Sequence, residues 1–260
     1  MVGSLDDMTT ALITGATSGI GLEFARQLGA RGHDLVLVAL EADRLEQLRG
    51  EFTEAYGVRV ETLRVDLSVR AEVERVADRA RTVDVLVNNA GFGLRKWFLE
   101  NERAAEEALL DVLCRAVLVV SHAAGRGMRE RGRGTIINVA SAAGWVAGGT
   151  YSAAKSWVIA FSESLAAETA GTGVTVTVVC PGFVRTEFHE RSGISVDKLP
   201  ERMWLDAPRV VRAALADAGK GKVISVPGRI YQGLVVLARV APRRFVRSGG
   251  ALTKHRPPLR

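Results

Sequence analysis

Cysteine is nearly absent: the 260 residues contain two, Cys114 and Cys180, far apart and in no paired motif. A disulfide framework is therefore excluded, and both thiols read as core residues of a protein from a reducing compartment. Long apolar runs are also missing. The stretches 116–120 and 234–238 fall far short of the ~20 residues that a helical membrane span requires. The four histidines, His33, His122, His189 and His255, stand apart from one another and from any cysteine or acid at ligand spacing, which argues against a metal site. No G-x-S-x-G elbow occurs, which removes one large class of hydrolases. Residues 1–8 carry Asp6 and Asp7 and lack a basic segment followed by an apolar one, so no secretory signal is expected and the cytoplasm is the expected compartment.

Apolar residues make up 47% of the chain and charged residues 25%, which fits a globular protein and not a disordered chain, a collagen or a coiled coil. The net charge of +6 is unevenly spread. Residues 218–260 hold ten Lys/Arg and no Asp/Glu, leaving −4 on the first 217. Such a tail reads first as a solvated basic face, with an anionic surface or acidic partner as the alternative; nucleic acid is not expected as a partner.

Short runs rich in Val, Ile and Leu alternate with longer amphipathic segments, the pattern of a parallel sheet covered on both faces by helices. Strands are predicted at 11–14, 34–39, 59–65, 83–88, 134–140, 174–180 and 222–226, and helices at 20–30, 42–56, 70–80, 104–128, 151–169 and 208–218. The intervals suit right-handed βαβ crossovers, and no linker or repeat divides the chain. The expected fold is α/β: one doubly wound Rossmann domain at 9–228 with a seven-stranded parallel sheet, an N-terminal extension at 1–8 and a basic C-terminal extension at 229–260. The segment 187–205 breaks the rhythm and is predicted to be a substrate lid.

The first predicted strand runs into Thr14-Gly15-Ala16-Thr17-Ser18-Gly19-Ile20-Gly21 and then directly into a helix. Glycines let the backbone turn tightly and approach a pyrophosphate, which the helix N-terminus attracts with unpaired N–H groups and its dipole. Further along come Asp66, then Asn88-Asn89-Ala90-Gly91, Tyr151-x-x-x-Lys155 and Pro181-Gly182, in that order. This ordered set, from about residue 9 to 226, resembles the short-chain dehydrogenase/reductase family. The resemblance implies an oxidoreductase that uses NADP or NAD. The cofactor would be held by Gly15, Thr17, Ser18, Gly19, Ile20 and Gly21 at the turn, and by Leu40 after the second strand. Asp66 and Leu67 would meet the adenine, and Asn88, Ala90 and Gly91 would lie near the adenine ribose. Pro181, Gly182, Val184 and Thr186 would border the nicotinamide, and Tyr151 and Lys155 would contact the cofactor as well as acting in catalysis.

Tyr151 and Lys155 are four residues apart, on one face of a helix. A neighbouring ammonium favours phenolate, so Lys155 is expected to draw the Tyr151 acidity down towards working pH and let it move a proton to or from a substrate oxygen. By resemblance, Lys155 also binds the nicotinamide ribose, and Ser141 steadies the substrate oxygen. Two positions depart from the family. Ser141 precedes Tyr151 by ten residues where about thirteen are usual. Leu113 stands where the family usually has an Asn that holds a water connecting the lysine to solvent. Leu113 motivates the alternative of a non-catalytic nucleotide-binding scaffold, which would bind cofactor and turn nothing over.

Strand two ends at Ala39 and Leu40, with neither the acid of NAD-preferring relatives nor the arginine of NADP-preferring ones. Glu41 would repel a 2′-phosphate and Arg44 would attract it; the missing acid leaves a lean to NADP, with NAD open. Trp97, Phe98, Trp145, Phe183, Phe188 and Trp204 fall at strand ends or in the lid, which suggests an apolar carbonyl or secondary alcohol as substrate, although about half of them are expected in the core. The resemblance also implies a homodimer or homotetramer. The apolar segment 231–238, followed by Arg239, Arg243, Arg244 and Arg247, has the pattern of a peripheral anchor on an anionic surface.

Overall fold

The computed structural model describes residues 10–188 and 199–242. The extension at 1–8, the middle of the predicted lid and the tail beyond 242 lie outside the described residues, as do His189 and His255.

Seven strands form one sheet: β1 (Thr10–Thr14), β2 (Asp34–Ala39), β3 (Val60–Arg64), β4 (Val85–Asn88), β5 (Gly134–Val139), β6 (Val174–Val179) and β7 (Ile224–Ser225). Every pairing is parallel, in the order β3-β2-β1-β4-β5-β6-β7. Parallel strands are buried on both faces, which is why their sequences run apolar without alternation; every residue of β4 and β5 is buried. The helices are α1 (Gly19–Gly29), α2 (Ala42–Tyr56), α3 (Arg70–Ala80), α4 (Arg103–Leu110), α5 (Ala116–Arg131), α6 (Thr150–Glu168), α7 (Ala207–Gly219) and α8 (Arg229–Val240). On one face Phe24 and Leu28 of α1, Leu45, Leu48 and Phe52 of α2, and Val211 and Leu215 of α7 form a core with the sheet. On the other, Val73 and Val76 of α3 and Ala116, Val120 and Met128 of α5 do the same, with Leu165 of α6 against them.

The strand order reverses between β1 and β4, whose connections leave in opposite directions. This opens a crevice at the C-terminal ends of the strands, where ligands bind in sheets of this kind. The Gly-rich turn, Asn88–Gly91, Ser141 and Pro181–Gly182 all follow strands ending on that edge.

Two expectations about the elements need correction. The single helix expected at 104–128 is α4 and α5 joined by a π-helical turn at Asp111–Arg115. One extra residue in a turn leaves little trace in a 3.6-residue periodicity, and such turns collect at functional sites. The combined run Arg103–Arg131 is long and apolar enough to cross a membrane, but half of its most apolar stretch is buried inside the fold, so packing against the sheet and α3 accounts for its character. Second, the segment set apart after 228 begins with α8, which is seated on the domain through buried Tyr231 and Val235.

A chain of buried amides and hydroxyls crosses the centre. Asn88 on β4 donates from Nδ2 to Ser121 Oγ and to Asn138 Oδ1, both at 2.9 Å. Asn138 donates to Ser162 Oγ of α6 at 2.9 Å, and Ser162 donates on to the Val158 carbonyl. Asn138 and Ser162 are fully buried. Removing one member strands its partners at roughly 1–3 kcal/mol. Asn138→Ala is thus expected to lower the melting temperature by several degrees, at about 2–4 °C per kcal/mol for a domain of this size; a thermal melt unchanged from the parent would show that the network does not hold the sheet to α6.

Candidate active site

The Gly-rich turn is built by backbone demands. Gly15 and Gly19 have φ of +67° and +53°, a region that side chains disfavour. A Cβ on Gly21 would stand 2.1 Å from the Gly15 carbonyl oxygen, and one on Gly15 would stand 2.9 Å from Ala90 Cα. The turn is clasped to the loop after β4. The Asn89 amide donates to the carbonyls of Thr14 and Gly15 at 3.0 and 3.2 Å, and the Thr14 hydroxyl accepts from the backbone N–H of Asn89 and Ala90. Thr14 and Asn89 were not singled out in the sequence; a threonine ending a strand directly before the first glycine was the available signal. The cradle, with the N-terminus of α1 behind it, fits the pyrophosphate of a dinucleotide.

The other candidate cofactor residues gather on the same edge. Thr17 donates from its hydroxyl to Glu41 Oε2 at 2.9 Å, and Leu40, the residue before Glu41, is 54% exposed. Arg44 is turned away and pairs with Glu51. Asp66 is oriented by accepting from the Ser68 N–H and hydroxyl, next to buried Leu67. Asn88 spends its amide hydrogens inside the sheet, so its side chain serves the core. Thr186 stands opposite Gly19, where a Cβ would meet it at 3.2 Å, so the loop after β6 faces the turn across the crevice. That loop is fixed by Tyr231, whose hydroxyl donates to the Met203 carbonyl at 2.7 Å and accepts from Phe183 N–H at 3.1 Å. Tyr231 packs where a Gly182 side chain would be, 1.9 Å from its Cζ. Val184 is buried beneath and pairs with Leu205.

Ser141 follows β5 and caps a short 3₁₀ turn, its Oγ accepting from Ala143 N–H at 3.1 Å. Tyr151 and Lys155 lie in the first turns of α6. The Ser141 side chain is near enough to the Tyr151 phenol to favour its ionised form, so two residues predicted together from distant positions do share one site. The Lys155 ammonium donates to the Val139 carbonyl at 2.8 Å and lies 5.8 Å from the Tyr151 ring centre. Gly91 lies close by, where a Cβ would stand 3.7 Å from Nζ. Phe188 packs on Tyr151 at 5.8 Å between ring centres, and Phe183 and Trp204 pack edge to face beyond it. Trp145 instead joins the core cluster of Val158, Ile159 and Cys180, while Phe98 is exposed.

The electrostatics correct one expectation. Burial pushes the Tyr151 phenol up to about 12, and Ser141 opposes this only in part. Burial pushes Lys155 down to about 8, partly offset by the neighbouring Cys114 and Cys180. Desolvation thus dominates the phenol, and without a ligand it stays protonated at neutral pH, the form needed to donate to a carbonyl. Leu113, fully buried in the π turn, lies in an apolar cluster with Leu109 and Ala154 against Tyr151. Cys114 beside it donates weakly to the Ala154 carbonyl, and burial pushes its thiol up to about 11, so it is not a reactive thiolate.

A doubly wound sheet with a phosphate cradle at the switch point and a Ser–Tyr–Lys group beside it defines a nicotinamide-dependent oxidoreductase. The chain belongs to the short chain dehydrogenase family, whose pattern it matches over residues 9–195. It is 43% identical over 190 residues to a chain assigned as the ketoacyl reductase of the monensin polyketide synthase of Streptomyces virginiae, covering 70% of this chain and 72% of that one. It is 32% identical to the very-long-chain 3-oxoacyl-CoA reductase of Anas platyrhynchos, over 80% and 68% of the two chains. Among solved structures, a short-chain dehydrogenase from Sphingobium yanoikuyae in complex with NADPH superposes with a TM-score of 0.83 at 30% identity, over 97% of this chain and 98% of that one. The scaffold alternative gains no support from these relatives.

Free-enzyme ionisations appear in kcat/KM. Carbonyl reduction is expected to hold a constant kcat/KM through neutral pH and to fall above about 8, where Lys155 loses its charge; the phenol, at about 12, stays protonated throughout. A pH–rate profile of Lys155→Arg should lack that inflection, and a parent profile flat well above 8 would remove the Lys155 charge from the reaction.

Proposed function

We propose that this chain is an NADPH-preferring reductase of an apolar ketone, with a 3-oxoacyl group as the leading substrate class and the reverse alcohol oxidation available. The observation that carries it is the Ser141–Tyr151–Lys155 cluster, with a protonated phenol under the Phe188 ring. The ketoacyl and 3-oxoacyl-CoA reductases among its relatives support the substrate class. A nicotinamide bound across the crevice supplies the hydride. Ser141 donates a hydrogen bond to the carbonyl oxygen, Tyr151 gives that oxygen its proton, and the Lys155 charge stabilises the phenolate that remains.

The missing acid at Ala39 and the NADPH-bound neighbour support the cofactor preference. Glu41 works against it, because its carboxylate is held beside the turn by Thr17. A cytoplasmic homodimer or homotetramer completes the proposal, supported by the two free thiols and by exposed Leu110 and Leu118 along α4 and α5. The C-terminal segment adds a surface contact: Ile230, Leu234, Leu237 and Val240 form an exposed apolar stripe on α8, in the stretch that carries ten basic and no acidic residues from 218 onward. An anionic lipid surface suits that combination.

The test follows nicotinamide absorbance with NADPH and NADH against 3-oxoacyl thioesters and bulky ketones. Tyr151→Phe is expected to lose about a hundredfold or more in kcat, the usual weight of a general acid; full activity in that variant would overturn the assignment. Glu41→Gln is expected to raise the NADPH-to-NADH ratio of kcat/KM about tenfold, as a like-charge penalty of ~1.4 kcal/mol would give, and an unchanged ratio would show that Glu41 does not face the cofactor.

A further inference from the structure

A buried carboxyl side chain with no part in the chemistry above lines one cavity with Tyr151. Glu106, on α4, is 6% exposed. Its Oε1 accepts from the Asn101 side chain at 2.7 Å, while Oε2 is enclosed without a hydrogen-bond partner among the described residues. A buried acceptor left unmet costs roughly 1–3 kcal/mol, so the position calls for a ligand. Glu106, Asn101, Thr150 and Tyr151 together line a cavity of about 10 Å³. That is close to the volume one water needs, and the lining offers it several polar partners. Lys96, exposed at the surface, lines the same cavity; with Tyr151 it is the titratable group facing Glu106 there.

Each carbonyl reduced takes one proton from the Tyr151 phenol, and a desolvated phenolate has to recover it before the next turnover. Leu113 and Ala154 close one flank of Tyr151, and Leu109 of the same apolar cluster forms part of the cavity wall. The Lys155 ammonium is engaged with the Val139 carbonyl.

We propose that Glu106 relays protons between solvent and Tyr151 through a water held in this cavity. The alcohol product keeps the phenol proton. The Glu106 carboxylate takes a proton from solvent past Lys96 and hands it to the water, which gives one to the phenolate, so that Glu106 and the water end each turnover as they began. One solvent proton is consumed per carbonyl reduced, matching the hydride taken from the reduced nicotinamide, and alcohol oxidation runs the same path backwards. The relay rests on Tyr151 being the proton donor, so Tyr151→Phe is measured alongside.

Glu106→Gln keeps the size of the side chain and an acceptor for Asn101 but cannot pass a proton on. It is expected to lower kcat about tenfold or more, leave KM and the melting temperature unchanged, and recover most of the lost kcat when imidazole is added as a small proton carrier. Glu106→Asp, which retains the acid, is expected to fall between parent and Gln. A Gln variant with the parent kcat, or one that imidazole does not rescue, overturns the relay while an inactive Tyr151→Phe leaves the site assignment standing. An active Tyr151→Phe would overturn both.

Discussion

The placement of the chemistry depends on how α6 is fastened to β5. Two polar clamps, two helical turns apart, set that register. The Lys155 ammonium holds the Val139 carbonyl, and Ser162 accepts from Asn138, the residue before Val139. All four lie inside the protein, where an unmade hydrogen bond is expensive and a slide of α6 by even one residue would break both clamps. Asn88 extends the tie to β4 and to α5 through Ser121. Hydrophobic packing holds the layers together without direction; these amides and hydroxyls fix where along the strand the helix sits. That fixes where Tyr151 meets Ser141.

Burial then has two opposite effects on the same pair. Desolvation disfavours charge on both groups, raising the phenol to about 12 and lowering the ammonium to about 8. The pair waits as a neutral acid beside a cation that is easily discharged, suited to giving a proton to a carbonyl. Phenolate becomes affordable only as negative charge develops next to Lys155, so the lysine acts on the state formed during reaction and less on the resting one. This is why a rule drawn from spacing alone, in which the ammonium lowers the phenol at rest, gave the wrong sign for the resting phenol.

What the sequence made legible was local. Strand runs, helix periods, the Gly-rich turn and the four-residue spacing of Tyr151 and Lys155 each fit within a few neighbouring residues, and all seven strands fell where the apolar runs placed them. Element ends were less certain: β7 keeps two residues of a five-residue run, because only Ile224 and Ser225 pair with β6. Contacts between distant segments were invisible. Nothing near Gly182 announces Tyr231, 49 positions on, although the glycine's missing side chain is the room that ring occupies. Asn89 looked like part of a motif, and its task of closing the turn on β1 needed the fold to be seen. Nothing in the residues around Glu106 marks it out; only its burial in the fold does.

The shortened link from Ser141 to Tyr151 shows how the fold absorbs a departure from its family. Three residues fewer leave no slack, yet Ser141 still comes near enough to the phenol to influence its ionisation. The chain turns at once into a 3₁₀ turn at Ala142–Trp145, closed by the Gly144 N–H on the Ser141 carbonyl. The turn is pinned from below by the Ala142 N–H on the Pro181 carbonyl at 2.8 Å. Trp145, at its far end, is packed into the cluster with Val158, Ile159 and Cys180 and covered by the Arg239 guanidinium 5.0 Å from its ring. Arg239 belongs to α8, so the C-terminal helix braces this turn as well as the Pro181–Val184 loop that Tyr231 holds. Both walls of the crevice beside the phenol therefore depend on a helix that follows the last strand, and the catalytic unit extends to the end of α8.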